Sequence, residues 1–255
     1  MKIFIPSFNR AVPLPVIEYF TGASIPMAVV VPQSQADGYQ AANPGVEVIT
    51  IPDAQDGSIA LKRNAILDLI RAESDQTGYM VDDDVRRLVR SRTLAEANEA
   101  LSRKSAQEVY DLETVPASEA VQAMQELAQK ALSEGAVHFG FNNTRNYRRY
   151  DPSTPFSNDL FFTAVLGFIA RPDTRFDESF IRGSGIDFVL RHRGKVLRDN
   201  RYAIDRERLE GGISVKPWQR REDFKALENK WGSSIIGLSS TGYGVVRLDL
   251  NASQP

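Results

Sequence analysis

The chain has 255 residues, 42% of them apolar and 25% charged, with 31 Lys and Arg against 33 Asp and Glu for a net charge of −2. That composition excludes an intrinsically disordered, collagenous or low-complexity chain, and no run of about 18 apolar residues marks a membrane span. The lack of cysteine removes disulfide frameworks, thiolate zinc sites and cysteine nucleophiles together, and His138 and His192 stand too far apart for a short histidine metal motif. The opening residues read as a strand rather than a leader, so the expectation is a soluble, cytoplasmic protein. Charge is unevenly spread. Residues 1–85 carry 5 basic and 11 acidic side chains, and the remainder carries 26 and 22. A basic second half suits an anionic partner, though a solvated surface would look the same.

Residues 2–5 are strand-like and 13–20 fit a short helix. MAVVV at 27–31 is a second strand closed by Pro32, and the polar stretch 33–42 is compatible with a helix carrying Ala36 and Tyr39 on one side. VEVITI at 46–51 is a third strand, ended by Pro52 and a turn at Asp56-Gly57. Ser58 is placed to cap a helix on which Leu61, Ala65, Leu69 and Ala72 recur at helical spacing. Residues 79–81 then enter a strand that ends in Asp82-Asp83-Asp84. Strands of near-continuous apolar character alternating with helices predict an α/β fold, a mostly parallel sheet with helices on both faces. Further on, 85–92 is a basic strand, 117–133 a helix with Val121, Met124, Leu127, Ala128 and Ala131 inward, and 138–143 and 161–171 are strands around a Tyr- and Arg-rich loop. A short helix at 185–193, a strand at 195–198 and a last helix at 222–231, with Phe224, Leu227 and Trp231 spaced for burial, complete the pattern. Without repeats or a linker, residues 1–255 form one domain with halves 1–92 and 93–255.

Chemistry concentrates at YMVDDDV, residues 79–85. Three carboxylates at the end of a buried strand point into the crevice where open α/β sheets bind ligands. Side chains alternate along an extended chain, so Asp82 and Asp84 share a face that invites a hard divalent cation, Mn²⁺ or Mg²⁺, with open positions for a diphosphate. Asp83 faces the other way and is read as a substrate contact. The alternative is a solvated acidic turn. By itself the D-x-D fits phosphatases, nucleotidyltransferases and glycosyltransferases alike. The segment after the first strand holds Pro6-Ser7-Phe8-Asn9-Arg10, which is neither an aspartyl-phosphate site nor a Gly-rich loop.

IPSFNR resembles the first strand and loop of GT-A glycosyltransferases, where a small polar loop holds the nucleoside. LKRNAILDLI, residues 61–70, is similar to the helix that precedes their D-x-D strand, with Arg63 and Asn64 near its start to meet a diphosphate or fix the base loop; a surface ion pair is the other reading of Arg63. VVVP, Tyr39, Pro52, RNAILDL and MVDDDV occur in series, and this order resembles the TET-associated glycosyltransferase family, found with phage and bacterial DNA-modification systems. The likeness covers roughly residues 1–90 and returns over 176–191. It implies a GT-A (Rossmann-like) fold, a nucleotide-sugar-binding first half and an acceptor-binding second half. The implied reaction moves a hexosyl or pentosyl group from a nucleotide sugar, a UDP-sugar foremost, to a hydroxymethylated pyrimidine such as 5-hydroxymethylcytosine in bacteriophage DNA, in the host cytoplasm. Pro6, Ser7, Asn9, Arg10, Arg63, Asn64 and Asp83 are then substrate-binding, and Asp82 and Asp84 bind the metal.

Inverting GT-A enzymes often carry a glycine, an acidic pair, then an acid and an arginine on a short helix. Gly183, Asp187 and Arg191 fit that frame, but Ser184 and Gly185 stand where the acidic pair belongs. Asp187 is therefore the catalytic base expected from the likeness, with a loop-anchoring role as its alternative and Asp177 or Glu178 as others. No late histidine is present to complete a metal shell, so Asp205 or water would do so. For the acceptor, Arg145, Arg148 and Arg149, interleaved with Tyr147, Tyr150 and Tyr202, are placed to grip DNA phosphates and stack bases. A polysaccharide, lipid or protein acceptor is the alternative enzyme reading. An inactive module that binds nucleotide sugar or DNA is the non-enzyme one.

Overall fold

The computed structural model describes residues 1–74, 76–91, 112–143, 154–158, 163–181, 183–207, 209–212, 217–233, 235–238 and 244–246. It is an α/β protein built on a ten-stranded sheet. The first half follows the expected alternation: β1 (Lys2–Pro6), α1 (Pro15–Phe20), β2 (Met27–Pro32), α2 (Ala36–Ala42), β3 (Glu47–Ile51), α3 (Ile59–Ala72) and β4 (Thr77–Val81). These strands lie in the order β3-β2-β1-β4, all parallel. Each burial pattern follows from the run that made it. In β2, Ala28 to Val31 are completely buried because helices cover both faces.

The second half departs from a mostly parallel sheet. Here come β5 (Val85–Ser91), β6 (Leu112–Thr114), α4 (Ala117–Glu134), β7 (His138–Asn143), β8 (Phe156–Ser157), β9 (Val165–Ile169), α5 (Ser184–Arg191), β10 (Val196–Arg206), α6 (Pro217–Trp231) and a separate hairpin of β11 (Ile236–Leu238) with β12 (Gly244–Val246). The main sheet continues from β4 through β9, β7, β10 and β5 to β6. β9 runs antiparallel to both β4 and β7, and β5 antiparallel to β10 and β6, leaving β7 and β10 as a parallel pair. The sheet is therefore mixed. β10 is also much longer than the expected strand at 195–198, because its second part pairs with β7 on one edge and β5 on the other.

Two apolar layers sandwich the sheet. Ile3, Ile5, Val29, Val31, Tyr79 and Val81 pack with α1, α2 and α4 on one face. The intervening residues Phe4, Val30 and Met80 pack with α3, α5 and α6 on the other, beside Leu166 and Phe168 of β9. The period-two pattern of each strand thus serves both layers at once. Gly167 of β9 is required by packing: a Cβ there would lie 2.0 Å from the Phe139 ring of the neighbouring strand. Inside α4 the expected face holds, with Val121, Met124, Leu127, Ala128 and Ala131 all buried. Inside α3 it does not. Leu61, Ala65 and Leu69 are half-buried and Ala72 is exposed, whereas Ala60, Lys62, Asn64, Ile66, Leu67 and Ile70 are the buried set. Two polar side chains on the inward face of a helix are the first structural sign of a site. Among the described residues, no helix is long and apolar enough to cross a membrane.

Candidate active site

β1 ends at Pro6 and β4 at Val81, neighbouring parallel strands; the chain leaves β1 into α1 on one face of the sheet and enters β4 from α3 on the other. That is the switch point at which open α/β sheets form a ligand crevice. A cleft opens there, lined by Pro6, Ser7, Phe8, Arg10, Ile59, Lys62, Arg63, Asp82, Asp83, Asp84, Arg206 and Gly212. α3 starts at its wall, its N-terminus capped by Ser58, whose hydroxyl accepts from the Leu61 N–H at 3.2 Å. The positive end of that helix faces the cleft and favours an anion.

The acidic run is a turn rather than a strand end. The Val85 N–H donates to the Asp82 carbonyl at 3.1 Å, and the chain resumes as β5. The expected division of the three carboxylates nevertheless exists. Asp84 receives a fork from Arg206, Nε to Oδ1 at 2.9 Å and Nη2 to Oδ2 at 2.7 Å, while the same Nη2 reaches Asp82 Oδ2 at 3.4 Å. Asp83 points the other way and is almost fully buried. It accepts from the Ser7 hydroxyl at 2.5 Å on one oxygen and from Arg10 Nη1 at 2.5 Å on the other. Burial raises the Asp82 pKa to about 6, Arg63 and Arg206 oppose that rise, and Asp84 and Asp83 add to it. Burial also raises Asp83, against the Ser7 hydrogen bond and the Arg10 charge.

The loop after β1 is held from below. Ser7 Oγ is 2.7 Å from the Tyr39 hydroxyl, which also accepts from the Arg10 N–H at 2.8 Å. Lys62, 4% exposed, donates to the Ser7 carbonyl and pairs with buried Asp56 at 2.6 Å. Burial lowers the Lys62 pKa and raises that of Asp56, and each charge opposes the shift of the other. Arg10 spans three segments. Besides Asp83, its Nε donates to the Glu210 carbonyl and its Nη2 to the Gly211 carbonyl, each at 3.2 Å. Gly211 and Gly212 have φ of +84°, and a Cβ on Gly211 would lie 2.3 Å from the Asn9 carbonyl oxygen, so this close crossing requires glycine.

The sequence-predicted residues separate clearly. Pro6, Ser7, Arg10, Arg63, Asp82, Asp83 and Asp84 line the cleft together. Asn9 lies beside it in an exposed left-handed turn, φ 52°, tied to Gln35 by two hydrogen bonds. Asn64 is not among the lining residues. Its side chain clamps the Phe176 backbone in both directions, at 2.8 and 3.0 Å, and donates to Glu178. Asp187 is fully buried between α5 and α6, where it accepts from Arg191 Nε at 2.8 Å and Trp231 Nε1 at 3.0 Å and pairs with Lys230 at 2.8 Å. It is not among the residues that line this cleft. Asp177 binds Ser179 and Lys230, and Asp205 binds Arg87; neither is among the residues that line the cleft. Arg145, Arg148 and Arg149, with Tyr147 and Tyr150, lie outside the described residues. Tyr202 is half-buried against Phe141.

Lys62, Asp56 and Arg206 are the site residues the sequence reading missed. Lys62 stands four and eight residues before Ile66 and Ile70 on the buried stripe of α3, which is a legible sign of a charged residue facing inward. Arg206 has no such sign. It ends β10, at a register shift against β5 that passes over Arg86, and lines the cleft.

The sequence model of the TET-associated glycosyltransferase family matches residues 1–196. The chain belongs to that family. No curated protein matches it. The matched span contains the whole parallel half, the acidic turn and all cleft residues except Arg206 and Gly212. A glycosyltransferase of this family binds a nucleotide sugar, and the donor set suits the divalent cation that such a ligand favours. Asp82 and Asp84 offer hard carboxylate oxygens already converging on one cation, and Mg²⁺ or Mn²⁺ is commonly held by one or two carboxylates plus phosphate oxygens. Among the described residues no cluster of three metal-ligating side chains occurs, so the remaining positions would fall to water and substrate.

Proposed function

We propose that this glycosyltransferase is a metal-dependent GT-A enzyme that moves a hexosyl or pentosyl group from a UDP-sugar to a 5-hydroxymethylpyrimidine, 5-hydroxymethylcytosine foremost, in bacteriophage DNA within the host cytoplasm. One observation carries the donor half of this reading. The cleft at the ends of β1 and β4 sets the acidic pair Asp82 and Asp84 opposite Arg63 and the start of α3. Carboxylates for a cation and positive groups for an anion in one crevice suit a metal diphosphate better than either ion alone.

Asp82 and Asp84 would hold Mn²⁺ or Mg²⁺, which supplies neutralisation of the diphosphate charge as the glycosidic bond breaks. Arg63 stands by the turn to meet phosphate oxygens, its guanidinium 5.5 Å from the Phe176 ring. Pro6, Phe8 and Ile59 provide apolar surface for the nucleoside. Ser7, Tyr39, Lys62 and Asp83 fix the β1 loop before substrate arrives, so that the orientation is not established during the reaction.

The association of the family with DNA-modification systems, and the basic balance of the second half, support a DNA acceptor. Reaching a base within a duplex would require flipping it, at a cost of a few kcal/mol. The test is incubation with a panel of nucleotide sugars, Mn²⁺ or Mg²⁺, and a hydroxymethylated duplex, followed by digestion to nucleosides and mass measurement. A hexose or pentose adduct on the hydroxymethylated nucleoside is expected. Turnover on a polysaccharide, lipid or protein with none on DNA would overturn the acceptor.

A further inference from the structure

Arg206 lines the cleft beside the acidic pair. It is the last residue of β10, its side chain 29% exposed at the cleft wall, and its guanidinium forks onto Asp84 while touching Asp82. The next residue strengthens that attachment, since the Glu207 N–H donates to the Asp84 carbonyl at 2.8 Å. The other carboxylates of the cleft region have their own cations. Asp83 is taken by Arg10 and Asp56 by Lys62. Arg206 is in direct contact with both members of the pair that would hold a metal, while the Arg63 charge also acts on Asp82.

We propose that Arg206 occupies the cation position of the acidic pair until donor binds, and then moves to the donor diphosphate. This inference rests on the metal-dependent reading above. Two physical arguments support it. A divalent cation on Asp82 and Asp84 would lie within a few ångströms of the guanidinium, and like charges at that distance repel strongly in a half-buried site. A diphosphate arriving with the metal offers a new bidentate anionic partner, and the guanidinium fork matches phosphate as well as it matches carboxylate. The exchange keeps every charge paired. Asp84 trades a guanidinium for a metal, and Arg206 trades a carboxylate for phosphate oxygens. The partly exposed side chain, at the end of a strand, can turn without moving the core.

The proposal predicts competition that can be read without turnover. Free Mn²⁺ in titrations of the full chain would be followed by electron paramagnetic resonance, for the parent, Arg206→Gln and Arg206→Lys, with melting temperatures to confirm folding. Arg206→Gln is expected to bind Mn²⁺ about tenfold more tightly, the order of one charge-assisted contact removed from the competitor. Arg206→Lys, which keeps the charge but loses the fork, is expected between the two. With the protein saturated in Mn²⁺, calorimetry should show pyrophosphate bound about tenfold more weakly by Arg206→Gln than by the parent.

Equal or weaker Mn²⁺ binding by Arg206→Gln would overturn the competition. Unchanged pyrophosphate affinity would overturn the transfer to diphosphate. If the Gln variant does not fold, the Lys variant decides by the same criterion, tighter Mn²⁺ binding than the parent supporting the proposal and equal or weaker binding overturning it. Failure of parent and variants alike to bind Mn²⁺ would instead contradict the metal-dependent reading itself, and this inference with it.

Discussion

The parallel and antiparallel halves of the sheet teach different lessons. In β3-β2-β1-β4 every strand end points to one edge, so the loop after β1 and the turn after β4 meet by topology, and seven predicted residues line one cleft. Beyond β4, antiparallel β9 reverses direction, and Asp187, on the helix that follows β9, is not among the residues that line the cleft. Among the described residues only Arg206 and Gly212 of the second half line it. The carboxylates expected there, Asp187 above all, are held by neighbouring helices. The cleft is thus built from strand ends and the start of α3 in the first half, and from the end of one strand and Gly212 after it in the second.

The sharpest way to break this comparison is at Lys62, whose buried pair with Asp56 underpins the β1 loop. Lys62→Met leaves Asp56 buried without its counter-charge, and a loss of about 3–5 kcal/mol in unfolding free energy is expected, measured by urea denaturation. Replacing Asp56 with Leu in the same chain should recover part of that loss. If Lys62→Met were neutral, the polar floor of the first half would not be holding the site.

A smaller effect is expected in the second half. Asp187→Asn keeps the shape but removes the charge that pairs with Arg191 and Lys230, so a loss of roughly 1–3 kcal/mol in stability is expected, with turnover of the folded protein retained. Melting temperature and turnover measured together check this. A mutant that folds like the parent but loses turnover would restore Asp187 as the base.

The smallest effect separates the same cluster by pH. The hydrogen bonds from Lys230 and Ser179 hold the Asp177 carboxyl at about 2, below its ordinary 3.8. Because the folded pKa is depressed, this group stabilises the fold fully above about pH 4, and the contribution is lost as pH falls through about 2. Asp177→Asn should flatten the acid limb of stability between those values. An unchanged limb would place the acid sensitivity elsewhere.

Much of the first half was legible because strand periodicity, Pro32 and Pro52 as strand stops, and Ser58 as a helix cap are local signals. The acidic turn was legible because three successive carboxylates after the buried TGYMV strand need cations or hydrogen-bond donors, and a cleft at the strand end supplies them. The inward face of α3 was misread, since its stripe includes Lys62 and Asn64, polar residues buried only because partners reach them from Ser7, Asp56 and Phe176. Arg206 was illegible for a stronger reason. It meets Asp84 across 122 residues of sequence, from the end of a long strand that lies between β7 and β5 and pairs with both. Local pattern carries no information about such a meeting.

The central claim is that the cleft at the ends of β1 and β4 is the nucleotide-sugar site. It is tested most directly by calorimetric titration of a nucleoside diphosphate panel, with and without Mn²⁺, into the parent and the variants Asp82→Asn, Arg63→Ala and Asp187→Asn. At least one nucleotide should bind the parent in a metal-dependent way. That binding should weaken by tenfold or more in Asp82→Asn and Arg63→Ala, and persist in folded Asp187→Asn. Equal binding by the parent and by Asp82→Asn and Arg63→Ala, or a loss confined to Asp187→Asn, would contradict it.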